Sequence, residues 1–190
     1  MFRKKTTNHT KPFLGAPAPQ NSFHSYAYSP DLFEYPSREL ITLSTQAISI
    51  AADLDFGWAK DLNAWDPHLD ISPGEHYRLL AGLIEASGAS KILEIGTYKG
   101  LGSIALWAGH NDRCVTTYDI LPLEELGSII PNSALNNGSI ISKQGDLSDQ
   151  QIFEDSRGQL SEMDFIFLDG PKNGRFEYEF LDLLSTIHFE

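Results

Sequence analysis

The sequence predicts an α/β fold, a doubly wound parallel sheet with helices on its faces. Three observations carry that prediction. Four short apolar runs, at residues 91–95, 115–119, 139–143 and 164–168, have the length of buried strands. Stretches with apolar residues at helical spacing alternate with them. A glycine-rich turn over residues 96–102 joins the first run to the start of a helix.

Composition sets the outer limits. The chain has 190 residues, 41% hydrophobic and 21% charged, which suits one soluble globular domain with an extension. No run approaches the roughly 18 apolar residues of a membrane span. The single cysteine, Cys114, excludes an internal disulfide and a cysteine-based zinc site, and reads as an inert buried thiol. A formal net charge of −12 argues against a grip on nucleic acid through its phosphates.

The elements follow in order. Residues 1–30 hold Arg3, Lys4, Lys5 and Lys11 but no acid, and show no apolar period. They read as a flexible tail, with 31–190 as the folded domain. No apolar run follows the basic start, so a secretory signal is not expected. Residues 39–53 suit a helix with Leu40, Ile41, Leu43, Ile48 and Ile50 as apolar contacts. Phe56, Trp58 and Trp65 follow in a polar loop. With Phe33 and Tyr35, the two tryptophans read as packing residues or, alternatively, as a lid. Ser72 and Glu75 have capping-box spacing around Pro73 and open a helix over 73–86. Tyr77, Leu80, Leu83 and Ile84 form its apolar side, and Gly88 is its stop. The first strand and the glycine turn come next, then a short helix over 103–108 and the second strand. Residues 122–125 start a helix that Gly127 and Pro131 keep short. After the third strand, a second capping-box spacing at 148–151 opens another helix. After the fourth strand, Phe176, Phe180, Leu183, Leu184 and Ile187 make the stripe of the last helix. His68, His76, His110 and His188 look isolated and read as surface or core residues.

The glycine turn carries the chemistry. Gly96 and Gly100 let the backbone approach a ligand with no Cβ in the way. The helix start beyond them offers free N–H groups and a positive dipole end, which suits a carboxylate or phosphate. Asp119 ends the second strand. In an open parallel sheet the carboxyl ends of the strands share a crevice, and an acid there suits the two hydroxyls of a ribose. The spacing therefore points to a nucleoside cofactor, and two readings are open. Gly100, Gly102 and Ala105 fit the dinucleotide pattern G-x-G-x-x-A. Taking Gly96 as the first glycine gives G-x-x-x-G, with the acid Glu94 two positions earlier.

That second arrangement resembles the first motif of class I S-adenosylmethionine-dependent methyltransferases. Over residues 71–184 the chain resembles the branch that holds catechol and caffeoyl-CoA O-methyltransferases. The resemblance rests on Ser72-Pro73, on Leu93-Glu94-Ile95-Gly96-Thr97-Tyr98-Lys99-Gly100, on Asp119, on Gly145-Asp146-Leu147, and on the strand from Asp164 to Asp169. It implies a Rossmann-like methyltransferase fold of seven strands in the order 3-2-1-4-5-7-6, of which strands 3, 2, 1 and 4 are present here. The C-terminal strands are missing, so a truncated version of a longer protein is expected. The cofactor implied is S-adenosyl-L-methionine. Glu94, Gly96, Thr97, Tyr98, Gly100, Gly102 and Ser103 would hold its methionine end and ribose. Asp119 would take the ribose hydroxyls, and Asp146 and Leu147 would lie by the adenine. The reaction implied is methyl transfer to an oxygen of a small-molecule acceptor. Lys172, in a partly dry cleft, would be the base, and Asp169 a cleft acid and candidate Mg2+ ligand.

The chain departs from the pattern twice. Gly102 stands where relatives carry Ser or Thr, with Ser103 one position later. The metal partners of the Asp169 position come, in relatives, from the fifth strand. Two rival readings stand beside the methyltransferase: an NAD-type oxidoreductase, and a cofactor-binding fragment without turnover. A tRNA acceptor is disfavoured by the charge. A homodimer and a cytoplasmic location are defaults that no motif supports.

Overall fold

The first and fourth strands are largely apolar on both sides, and helices cover both faces of the sheet. A computed structural model of the chain describes residues 37–70 and 75–189. The expected tail at 1–30, Phe33 and Tyr35, and the capping box built on Ser72 lie outside the described residues. The elements are α1 (Arg38–Asp53), α2 (Trp58–Asp61), α3 (Glu75–Ser87), β1 (Lys91–Ile95), α4 (Leu101–Trp107), β2 (Cys114–Asp119), α5 (Asn132–Asn136), β3 (Ile140–Gln144), α6 (Gln150–Leu160), β4 (Phe165–Leu168) and α7 (Arg175–Leu184). The strands form one all-parallel sheet in the order β3-β2-β1-β4. This is the α/β, doubly wound arrangement read from the sequence.

Alternate residues of each strand feed two cores. Ile92, Val115 and Ile140 join Ile84, Ile104, Leu106 and Trp107 on one face, with Phe165 and Phe167 against them. Leu93, Ile95 and Tyr118 join Phe153, Leu160, Phe176 and Phe180 on the other, with Ile166 and Leu168. The first core holds α3 and α4, and the second holds α6 and α7. Phe176 and Phe180 stack with centroids 6.0 Å apart.

Several boundaries differ from the expected ones for local reasons. Helix α4 starts at Leu101 rather than 103, because Gly100 takes φ 84 and its carbonyl accepts the N–H of Ile104 at 2.9 Å. Asp149 caps α6 through the N–H groups of Gln151 and Ile152, where the sequence pointed to Ser148. Strand β4 starts at Phe165, since the Asp164 carboxylate turns aside and accepts from Ser90 N, Ser90 Oγ and Lys91 N. Those bonds to backbone N–H groups hold the Asp164 carboxyl below its ordinary range. Residues read as a polar loop form α2. Trp58 lies edge-on to Trp107 at 5.5 Å, and Trp65 packs on the same core. Both tryptophans are packing residues. Gly88 ends α3 as expected, its N–H reaching Ile84 O at 2.9 Å. Cys114 is partly buried, with Sγ 3.6 Å from Gly138 O.

Candidate active site

Successive strands β1, β2 and β3 step one way across the sheet, and β4 returns to the other side of β1. At such a reversal the loops after neighbouring strands part and leave a crevice. A cavity of about 380 Å3 lies there. Gly96 and Tyr98 reach it from β1, Asp119 and Ile120 from β2, Gly145 to Leu147 from β3, and Asp169 to Pro171 from β4, with Phe176 of α7. Six residues singled out in the sequence meet in it: Gly96, Tyr98, Asp119, Asp146, Leu147 and Asp169. Among the described residues, the charged groups lining it are the three carboxylates of Asp119, Asp146 and Asp169.

The glycines of the turn also let other parts of the chain pack closely. At Gly96 (φ 104) a Cβ would sit 2.4 Å from the carbonyl oxygen of Asp169. At Gly100 (φ 84) it would sit 2.3 Å from Cγ1 of Ile130. In the direction of a Cβ, the space beside each glycine is taken by the protein itself. Both also need the left-handed backbone that glycine adopts without strain.

Tyr98 follows with φ 42, and its N–H donates to Oδ2 of Asp119 at 2.9 Å. The other oxygen of Asp119 accepts the N–H of Leu121 at 3.1 Å. Asp119 thus ties the glycine turn to the end of β2. A carboxylate has about four acceptor positions, so two remain for ligand hydroxyls. The Tyr98 ring is 65% exposed beside the cavity.

Glu94, Thr97 and Ser103, expected at the cofactor, do not line this cavity and form a buried network next to the turn. All three are buried. Glu94 Oε2 accepts from Ser103 Oγ and from Thr117 Oγ1, the latter at 2.8 Å, and Thr97 Oγ1 lies 2.7 Å from Thr117 Oγ1. Burial pushes the Glu94 carboxyl up to about 7, with the charges of Asp169 and Asp119 adding and the two hydroxyls opposing. Gly102 is also structural: a Cβ there would meet Oε1 of Glu94 at 2.1 Å.

Asp146 lines the cavity while its Oδ1 accepts both the N–H and the hydroxyl of Ser148, at 2.9 and 2.7 Å. The cap of α6 is its neighbour Asp149, so Asp146 is spared that role. Leu147 is buried against the cavity. The dry setting expected around Lys172 is absent. Its side chain is 66% exposed, and Nζ lies 2.7 Å from Oδ1 of Asp169. Asp169 stands without further metal ligands: among the described residues no three His, Cys, Asp or Glu side chains gather to hold an ion. A hard cation wants about six oxygens. These residues do not fit Mg2+.

Sequence reasoning missed Ile120 and Phe176 as site residues. Ile120 is 66% exposed at the strand end, and only the meeting of loops gives it a role. It also missed a second cavity, of about 290 Å3, lined by Asp66, His68, His76, Tyr77, Tyr98, Lys99 and Leu101. Tyr98 belongs to both cavities. His68 is not isolated, since Nδ1 lies 2.5 Å from Oδ1 of Asp66. His110 likewise pairs with Glu85 at 3.0 Å.

No family profile and no curated protein matches the chain. Among solved structures it is similar to the O-methyltransferase of Bacillus cereus in complex with SAH, at 25% identity and a TM-score of 0.40, over 80% of this chain and 64% of that one. It is similar also to a Klebsiella pneumoniae protein provisionally named an O-methyltransferase, at 18% identity and a TM-score of 0.42, over 80% of this chain and 63% of that one. The chain spans less than two thirds of the length of either. With both scores at 0.42 or below, the functional reading rests on the cleft.

Proposed function

We propose that this chain is an S-adenosylmethionine-dependent methyltransferase acting on the hydroxyl of a small molecule. The observation that carries the reading is that the charged groups lining the cleft at the sheet's reversal point are three carboxylates, Asp119, Asp146 and Asp169, the last paired with Lys172 at its rim. A cofactor with a sulfonium and an ammonium suits three acids. A dinucleotide pyrophosphate does not, because like charges in a partly dry crevice repel strongly. A pyrophosphate would also need open backbone at the start of α4. There Ile130 covers Gly100, and Leu101, Gly102 and Ser103 are buried. The NAD-type reading is disfavoured on both counts.

In this reading Asp119 takes the ribose hydroxyls on its remaining acceptor positions. Ile120, Leu147 and Phe176 supply apolar surface for the adenine, with Asp146 alongside. Glu94, Thr97 and Ser103 act from below, by fixing the turn. The bound cofactor supplies a methyl group on a sulfonium, ready for in-line displacement. No step is assigned to Mg2+, whose ligands the site lacks.

Calorimetric titration of the 190-residue chain tests this, with S-adenosylhomocysteine in one cell and NADH in a parallel one. Micromolar binding of the homocysteine nucleoside with no NADH binding is the expected result. NADH binding alone, or binding of neither by a folded chain, refutes the reading.

A further inference from the structure

We propose that the second cavity seats the methyl acceptor and that His68, oriented by Asp66, takes the proton from the acceptor's hydroxyl; the proposal rests on the functional reading above. The local sequence builds the pair. Asp66-Pro67 opens a tight turn, and Pro67–Leu69 forms one turn of 3-10 helix capped by Asp66. Leu69 is fully buried and anchors that turn. Oδ1 of Asp66 accepts the backbone N–H of His68 at 2.8 Å and meets ring Nδ1 at 2.5 Å. A carboxylate on Nδ1 makes that nitrogen the N–H donor. The lone pair then resides on Nε2, as in other oriented general bases. The His68 side chain is 62% exposed, so a ligand can reach it.

The remaining walls define what fits. The rings of His76 and Tyr77 lie 3.9 Å apart, and Lys99 Nζ stands 5.8 Å from the Tyr98 ring centre. Aromatic side chains on the wall suit a ring, and about 290 Å3 suits a small one. Lys99 offers donors only. Burial pushes the Tyr77 hydroxyl up, with Asp169, Glu94 and Asp66 adding, so Tyr77 stays a donor as well. Tyr98 lines both cavities. The two cavities adjoin at that residue, with Tyr77 on the second cavity's side.

The step balances. The O–H proton passes to Nε2 of His68, and the freed oxygen lone pair attacks the methyl carbon of S-adenosylmethionine. The S–CH3 bond breaks with its electron pair staying on sulfur. A methyl ether and S-adenosylhomocysteine result, and the imidazolium returns its proton to water. An imidazole is a modest base, so it calls for an acidic, ring-borne hydroxyl and not an aliphatic alcohol.

The test needs no turnover. The chain loaded with S-adenosylhomocysteine is titrated with para-nitrophenol at mildly acidic pH, and the visible absorbance of the phenolate is followed. Wild type is expected to bind the phenol and raise its anion fraction. H68Q, its fold checked by circular dichroism, is expected to lose that gain by about tenfold or more while still binding the phenol. D66N, which removes the orienting carboxylate, is expected to shrink the gain and displace its pH dependence. Equal gains in wild type and H68Q overturn the proposal alone, as does no phenol binding by the loaded chain. No binding of S-adenosylhomocysteine in the first place overturns the functional reading, and the proposal with it.

Discussion

Glu94 shows how one buried acid links the site to stability. Its carboxyl is pushed up to about 7 by burial, from an ordinary value of 4.5. The folded chain therefore keeps a proton that the unfolded chain gives up. The stability from that proton is complete below pH 4.5 and is lost as pH rises through about 7. In E94Q the amide oxygen still accepts from Ser103 and Thr117, but there is no charge to bury. Urea unfolding is expected to show wild-type stability falling between about pH 5 and about pH 8, and E94Q falling clearly less. An identical fall in both would assign the pH dependence to other groups. The acid was conspicuous in the sequence because a charge inside a buried strand needs partners. Its partners were not, since Thr117 reaches it only through the register that sets Glu94 beside Thr117. His68 was illegible for a related reason. Its partner two residues away is easy to name, but the cavity beside it is built by residues 76, 77, 98, 99 and 101.

At the scale of elements, the loops after β1 and β4 form one unit. Gly96 presses on the Asp169 carbonyl, and the N–H of Asp169 bonds Ile95 O at 2.8 Å. Adding a methyl group at Gly96 forces a side chain into left-handed backbone and drives the β4 loop away. G96A is expected to lose at least about 2 kcal/mol of stability in denaturant unfolding and to weaken nucleoside binding. Unchanged stability would mean that the two loops are not packed as described. The strands themselves were plain from the sequence, because runs buried on both faces need no alternation to be seen. Their ends were not. The Asp164 carboxylate caps the start of β1 while its N–H bonds Lys91 O at 2.8 Å, and Cys114 extends β2, its N–H bonding Ser90 O at 2.8 Å. Helices α2 and α5 were missed because they are short and lean on tertiary packing, where propensity says little.

For the molecule as a whole, the fold was legible and the site only half so. A parallel sheet follows from the alternation of strands with helices, and the observed order β3-β2-β1-β4 is the one the family resemblance implied. The cavity's acids Asp119, Asp146 and Asp169 could be picked out because each closes or follows a strand. A second reason for glycine at positions 96 and 100 was not legible, since what a Cβ would meet there comes from residues 169 and 130. Ile120 and Phe176 carry no signal until four loops converge. The claim joining these levels is that the crevice at the carboxyl ends of the strands binds an adenosyl cofactor on its acids. The most direct measurement is a backbone amide chemical-shift map of the chain titrated with S-adenosylhomocysteine. Saturable shifts clustered at Gly96 and Tyr98, at Asp119 and Ile120, at Gly145 to Leu147 and at Gly170 are expected. Saturable shifts confined to another surface, or none in a folded chain, would contradict it.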